Sequence, residues 1–424
     1  MTEEKSNRKI NLIAILGTNV AWAALDLFIS TFLVAQLLFV TGGNTGAVAL
    51  YYIVLYTTLF IFYAIFAYIV KKFSSVWCIR AGVIVDVVLI CLVCVFGNQL
   101  ANLYLVFAAL SGIANGIFWI AVNDFTSTTM GGTKMLRFQA YVNIATSAAK
   151  IILPFTLGLL ITYVSFFIAT LVAIIIGVIL IYFTFLMRSD KTKPSPYSVK
   201  NYFKLIRDQK LVKPVALNFA LQYTRALYGA SGICVVILVA NYFGNSFSLG
   251  YLTSIFSACA VVMLTLYRLI KSRHIKNEIF LICAILAFGL ACGLLFEVNK
   301  VTIILFQLAS AVFLVVPNIE TGKLQFDAMK ELGHNHVSTE TLVMAEFAYL
   351  LGRLTVVGMI LVSSTINSLL MFQIITIVFI GTAIVGYILF RTWWHLYGKM
   401  IPRAPIPVKV KKSQPKQSGG AEEI

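Results

Sequence analysis

Eight ionisable side chains stand inside long apolar runs: Asp26, Asp86, Asp124 and Lys150 in the first half of the chain, and Arg225, Glu320, Glu346 and Arg353 in the second. A charge at the centre of a bilayer costs at least ~2.5 kcal/mol on insertion scales, so such a residue has a partner, a water-filled cavity or a task. Lys150 lies halfway along the apolar segment 137–161, and Arg353 lies at the same depth of a similar segment, 341–361. The recurrence points to an internal duplication with two cations facing a shared centre. A carboxylate beside a cation in a low-dielectric cavity gains or loses its proton according to whether a substrate engages that cation. Asp26 and Glu346 are therefore the candidate proton-coupling groups, and Lys150, Arg225 and Arg353 the candidate contacts to an anionic substrate. Asp86, Asp124 and Glu320 read as structural. Glu346 and Arg353 share a helix face but lie about 10 Å apart at ~1.5 Å of rise per residue, so no direct pair is expected.

Polar and aromatic residues extend this set. Asn115, Trp119 and Asn123 recur every fourth residue, a stripe that reads as lining a cavity and contacting substrate. Trp22 shares a helix face with Asn19, Asp26 and Ser30 and joins the candidate substrate contacts. Asn218, Gln222, Arg225, Gly229 and Gly232 form one face of the seventh run. Gly112 and Gly116 make a GxxxG whose default meaning is close helix packing. Pro317, beside Asn318 and Glu320, is expected to break the tenth run there. The seven cysteines lie in or beside apolar runs, and the Cys91–Cys94 spacing reads as packing. His334 and His336 read as a polar turn. No metal or cofactor set and no GxxxxGK[ST] phosphate loop occurs, and no acid–base cluster of an enzyme gathers at one membrane face.

These residues need a membrane scaffold to position them. The chain of 424 residues is 60% hydrophobic and 12% charged, with mean hydropathy +0.92, more apolar surface than a soluble domain can bury. Twelve apolar runs of spanning length fall at roughly 11–40, 47–70, 76–97, 101–126, 138–161, 165–187, 214–242, 248–270, 278–297, 301–322, 340–363 and 367–392. The expected fold is all-α and integral to the membrane: a head (1–10), a six-helix half (11–187), a basic linker with an amphipathic helix at 198–208 (188–213), a second six-helix half (214–395) and a basic tail (396–424) disordered from Pro402. The net charge of +17 reports topology rather than nucleic-acid binding, because 29 of the 33 Lys and Arg fall in alternate loops and the termini. That asymmetry places both termini in the cytoplasm and the first helix as an uncleaved anchor.

Two six-span halves, a basic central loop and paired segments 4/10 and 5/11 resemble the major facilitator superfamily over about residues 10–395. Its glycine-, aspartate- and arginine-containing turn between helices 2 and 3 is met here by AYIVKKFSSVWC, which keeps the basic pair Lys71-Lys72 but has lysine where the aspartate belongs. Of the exporters' GPxxGG in helix 5, Pro154 and Gly158 are present. The GIANGIFWIAVND run is similar to bacterial members, and Lys-Lys-Phe after helix 2 to the glycolipid-flipping branch. The resemblance implies a cavity lined by helices 1, 4, 7 and 10, with 2, 5, 8 and 11 beside them. It also implies a monomeric, proton-coupled secondary transporter of the cytoplasmic membrane that exports a small amphipathic or anionic solute by alternating access. The alternatives are a flippase for a lipid-linked or glycolipid substrate, a lipid-modifying membrane enzyme and a non-transporting receptor.

Overall fold

A computed structural model of the chain describes residues 2–129, 133–188, 197–208, 211–270, 272–333, 338–366 and 368–397. The tail from Pro402 and the His334/His336 turn lie outside the described residues. The first span is α1 (Thr2–Leu27), a π-helical segment (Phe28–Leu33) and α2 (Val34–Val40). Then come α3 (Thr45–Lys72), α4 (Ser75–Phe96), α5 (Leu100–Thr129), α6 (Thr133–Tyr163) and α7 (Phe166–Leu186). After the linker helix α8 (Val199–Asp208), the seventh span is α9 (Val212–Gly229) with α10 (Ser231–Phe243), followed by α11 (Ser246–Leu269) and α12 (Arg273–Cys292). The tenth is α13 (Lys300–Leu308), a π-helical segment (Ala309–Phe313) and α14 (Val315–Gly333); α15 (Ser338–Thr365) and α16 (Leu369–Tyr397) complete the bundle. Among the described residues eleven apolar helical stretches are long enough to span a membrane, and one of them, Ser75–Thr126, holds both α4 and α5. Twelve spans result, in a multi-pass membrane protein. The helix of the first span reaches back to Thr2, through the segment expected to be a separate head.

Helix starts on one face of the bundle follow from local chemistry. Asn44, Ser165, Asn245 and Asn299 each accept backbone N–H bonds in the first turn of the helix that follows, which satisfies donors otherwise orphaned there. We call this the far face; α8 lies on the other, the linker face. In α8, Tyr202 and Ile206 are buried against Leu211, Val215 and Met344 while Phe203 is exposed, the amphipathic division that its sequence predicts.

Glycines set the closest approaches. A Cβ on Gly112 or Gly116 would strike the α3 backbone at Leu55, Leu59 and Tyr63, so the GxxxG is a packing seam between α5 and α3. The two halves meet where α3 packs on α15, α6 on α11, and α2 on α10. At the α6–α11 contact, Gly250 lies against the Pro154 carbonyl and Gly158 against Ser246 and Gly250.

Candidate functional site

Three of the helices at the centre are interrupted at mid-depth. Within the π segment Phe28–Leu33 the Ser30 carbonyl accepts the Tyr52 hydroxyl at 3.1 Å. The seventh span breaks at Ala230, and the Ser231 hydroxyl there meets that of Ser310 in the second π segment at 2.9 Å. Leu314 ends that segment, so Pro317 falls in the first turn of α14, where its missing N–H costs no helical bond. Broken backbone at mid-depth is tolerated only where protein or a cavity satisfies it.

Such a cavity, of about 670 Å³, lies between the halves. The N-terminal half contributes Asp26, Ser30, Tyr52, Tyr56, Tyr63, Ser111, Asn115, Trp119 and Asn123 to its wall, and the C-terminal half Arg225, Gly229, Gly232, Asn318, Gly322, Glu346, Tyr349 and Arg353. The Asn115–Trp119–Asn123 stripe thus faces the cavity. Trp119 is 38% exposed, Asn115 donates to the Ser111 carbonyl at 3.1 Å, and Asn123 donates to the Tyr63 hydroxyl at 3.5 Å. Arg225 stands with its guanidinium against Gly322, donates to Asn318 Oδ1 at 3.4 Å and lies 5.5 Å from the Tyr349 ring.

Arg353 and Glu346 do pair, with Nη1 to Oε1 at 2.8 Å, against the expectation from their separation. Helical Cα–Cβ bonds tilt towards the N-terminus, which sends the long arginine side chain down α15 towards Glu346, and two side chains together cover the two turns between them. The rings of Tyr56 and Tyr349 flank the guanidinium, each 4.9 Å from it. Tyr349 is shared by both arginines. Neither tyrosine was singled out in the sequence, although the spacing of Tyr349, three after Glu346 and four before Arg353, puts it on their face.

Two expected members of the site do not line this cavity. Trp22 is 1% exposed and stacks on Phe118 with ring centroids 3.6 Å apart, a packing contact behind the cavity wall. Asp26, four residues on and about 40° further round the helix, reaches the cavity instead. Lys150 is exposed and lines a second space, of about 740 Å³, with Tyr267, Arg268, Lys276, Glu320 and Lys323. Lys150 and Arg353 therefore line different spaces, although both stand within electrostatic reach of Asp26. The α6–α11 seam is fixed by Pro154 and Gly158, and Lys150, four and eight residues before them, lies about 40–80° round the helix and opens on the space beside α11 and α14. Glu320 opens on the same space and accepts the Tyr267 hydroxyl at 2.5 Å. Asp124, structural as expected, accepts Ser75 Oγ at 2.6 Å and Thr339 Oγ1 at 3.5 Å.

The basic turn after α3 holds a tie that sequence reasoning missed. Lys71 is buried and pairs with Glu340, the first acidic residue of α15, at 2.7 and 2.9 Å, and Glu340 also accepts the Ser198 backbone N–H at 3.0 Å. An ion pair thus joins the halves beside the linker, with lysine in place of the aspartate that the resemblance led one to expect. Glu340 sits at the start of its run, where an acidic residue ordinarily means only a favourable helix N-terminus.

The fold is two six-helix bundles around a charged, aromatic cavity. The sequence matches the family profile of the Major Facilitator Superfamily over residues 10–322, and the chain belongs to that family. Its fold is similar to the crystal structure of the nucleoside transporter NupG (TM-score 0.61, 14% identity, 92% of this chain and 99% of that one). It is similar also to the POT family transporter PepTSo (TM-score 0.71, 10% identity, 93% and 98%). No curated protein matches it in sequence. Membership of that family makes it a secondary transporter.

Proposed function

We propose that the chain carries a small anionic, amphipathic solute through the central cavity by alternating access of its halves, driven by protons. The observation that carries this reading is the Glu346–Arg353 pair held between Tyr56 and Tyr349 on the cavity wall. A guanidinium fixed between rings offers planar donors to a carboxylate, sulfonate or phosphate, and Arg225 brings a second beside the same Tyr349. Trp119 and the tyrosines supply apolar faces; Asn115, Asn123 and Asn318 supply adaptable hydrogen bonds. Asp26 and Glu346 remain the proton-coupling candidates.

The pair also decides how anion and proton are linked. In this reading the anion takes the guanidinium, and a proton takes the place of Arg353 on the Glu346 carboxylate that the anion releases. Anion and proton then bind together, and an inward proton gradient drives uptake. The export expected from the sequence needs the opposite linkage, a cargo that competes with the proton. A second reading, a flippase for a lipid-linked anion, draws on the space around Lys150, whose cations stand against the apolar Val261, Leu264 and Val315. The positive-inside distribution of basic residues supports the cytoplasmic membrane with both termini inside.

Reconstitution in proteoliposomes with a panel of anionic solutes and an internal pH dye tests this. The expected result is lumenal acidification with uptake, lowered about 100-fold by Arg353→Ala at a loss of ~3 kcal/mol of anion binding, and uptake without acidification in Glu346→Gln. Unchanged uptake in Arg353→Ala would sink the assignment. Loss in Lys150→Ala alone would favour the flippase.

A further inference from the structure

The N-terminal half holds a set of buried polar atoms that the cavity chemistry leaves unused. Asp86 on α4, Tyr51 on α3 and Ser111 on α5 are each 1% exposed; Asp86 Oδ1 has no hydrogen-bond partner among the described residues, and the Tyr51 hydroxyl and Ser111 Oγ have none but each other. Helix packing brings them into one layer. Gly82 of α4 lies against Ala114 and Phe118 of the antiparallel α5, so Asp86, one turn further on, is level with Ser111. Tyr51 is within hydrogen-bonding reach of Ser111 and electrostatic reach of Asp86 and Asp26. Asp26 and Ser111 also line the central cavity, so this layer backs directly onto the substrate space.

The charges around the two aspartates differ. Asp26 is acted on by Lys150 and Arg353, whereas the charge that acts on Asp86 is Asp26 itself, of the same sign. No lysine or arginine among the described residues forms an ion pair with Asp86. At this level α7 meets α4 through Gly177 against Val87, which adds no charge. A buried carboxylate whose nearest charged neighbour has the same sign is a place where a cation is needed to balance it. The available donors are a carboxylate, a phenol and a serine hydroxyl, all oxygen, which suit a hard monovalent cation and not a thiophilic metal.

We infer that Asp86, Ser111 and Tyr51 form a monovalent cation site, taking a proton or a sodium ion, directly behind the substrate cavity of the N-terminal half. Asp86 thereby leaves the structural role that its peripheral helix first implied. That the bound cation is the coupling ion rests on the transporter reading; its binding does not, and is tested without any substrate.

The full chain in lipid nanodiscs is titrated with sodium chloride, with potassium chloride as the control at equal ionic strength, while thermal stability is followed. In parallel, proton uptake across a pH step is read with an indicator dye in weak buffer. If sodium is the ligand, Tm rises saturably with sodium but not potassium, Asp86→Asn abolishes the rise, and Ser111→Ala shifts half-saturation about tenfold. If the proton is the ligand, sodium has no effect and Asp86→Asn removes one proton from the uptake measured in the wild type. Should Asp86→Asn fail to fold, Ser111→Ala decides: a sodium or pH profile identical to wild type overturns the site, as does an Asp86→Asn protein that matches wild type in both arms. Transport of an anion without cation binding here would overturn this site and leave the carrier intact.

Discussion

The two halves share a scaffold and differ in how they treat charge. In the C-terminal half the charges on the cavity wall are satisfied by neighbours: Glu346 holds Arg353, Asn318 holds Arg225, and Tyr349 lies against both guanidinium groups. In the N-terminal half Asp26 faces the cavity, and Asp86 lies behind it, without an ion pair among the described residues. On the proposed reading the halves differ in emphasis, the arginines of the C-terminal half taking the anion with Glu346 as their proton partner, and the N-terminal half holding the buried aspartates. Packing divides by place rather than by half, since Gly250 and Gly352 of the C-terminal half also press on backbone. The N-terminal glycines Gly82, Gly112 and Gly116 are pressed against neighbouring backbones, whereas Gly229 and Gly232 on the cavity wall have nothing within 4 Å of where a Cβ would stand.

The largest expected effect tests that packing contrast with one substitution at two places. In Gly116→Leu even the first side-chain carbon meets the Leu59 carbonyl and Tyr63 N, backbone that cannot rotate away, so the α3–α5 seam opens and folded protein is lost. Overpacking of ordinary cores costs about 1–3 kcal/mol, and a backbone clash exceeds that range. Gly229→Leu enters open cavity, keeps stability within about 1 kcal/mol of wild type, and narrows the substrate space. Size-exclusion and thermal unfolding in detergent read the first effect, and uptake reads the second. Equal stability of the two variants would break the contrast.

Next in size is the tie between the halves. Removing one member of a buried ion pair costs about 3–5 kcal/mol because the other charge is left unpaired, and Lys71 and Glu340 are 5% and 2% exposed. Lys71→Glu and Glu340→Lys should each destabilise strongly, and the double exchange should recover most of the loss. A double-mutant cycle on Tm measures the coupling. A coupling near zero would mean that the seam of α3 on α15, rather than this pair, holds the halves together at the linker face.

Much of the scaffold was legible in the sequence, because a bilayer leaves few ways to satisfy a backbone. Twelve apolar runs, the amphipathic α8 and the break near Pro317 each follow from hydropathy or from a single residue's covalent geometry. The cavity stripe Asn115–Trp119–Asn123 was legible for the same reason, since polar residues at period four leave a helix only one polar face. What spacing could not deliver was direction about a tertiary axis. Lys150 and Arg353 match in depth, yet depth along a helix says nothing of its rotation, and rotation at α6 is set by Pro154 and Gly158 meeting Gly250 some ninety residues away. The Glu346–Arg353 pair was missed for another reason, since counting rise between Cα atoms omits the reach of the side chains. Lys71–Glu340 joins residues 269 positions apart, and no local pattern announces it.

The smallest effect sharpens the division of charge most finely, because it compares two asparagines at matching places in the repeat. Asn318 accepts from Arg225 Nε at 3.4 Å and so fixes one cation of the anion site, whereas Asn123 reaches only the neutral Tyr63 hydroxyl at 3.5 Å. A hydrogen bond of this kind contributes about 1 kcal/mol net, or roughly fivefold in affinity. Asn318→Ala should therefore weaken an anionic solute about fivefold, because Arg225 must be reordered each time the anion binds. Asn123→Ala should change anion affinity less than about twofold, since no charge depends on it. Competition binding of one anionic solute to both variants reads the difference directly. If Asn123→Ala proves the more damaging, the anion is being held by the N-terminal wall, and the assignment of anion recognition to the C-terminal half must be reversed.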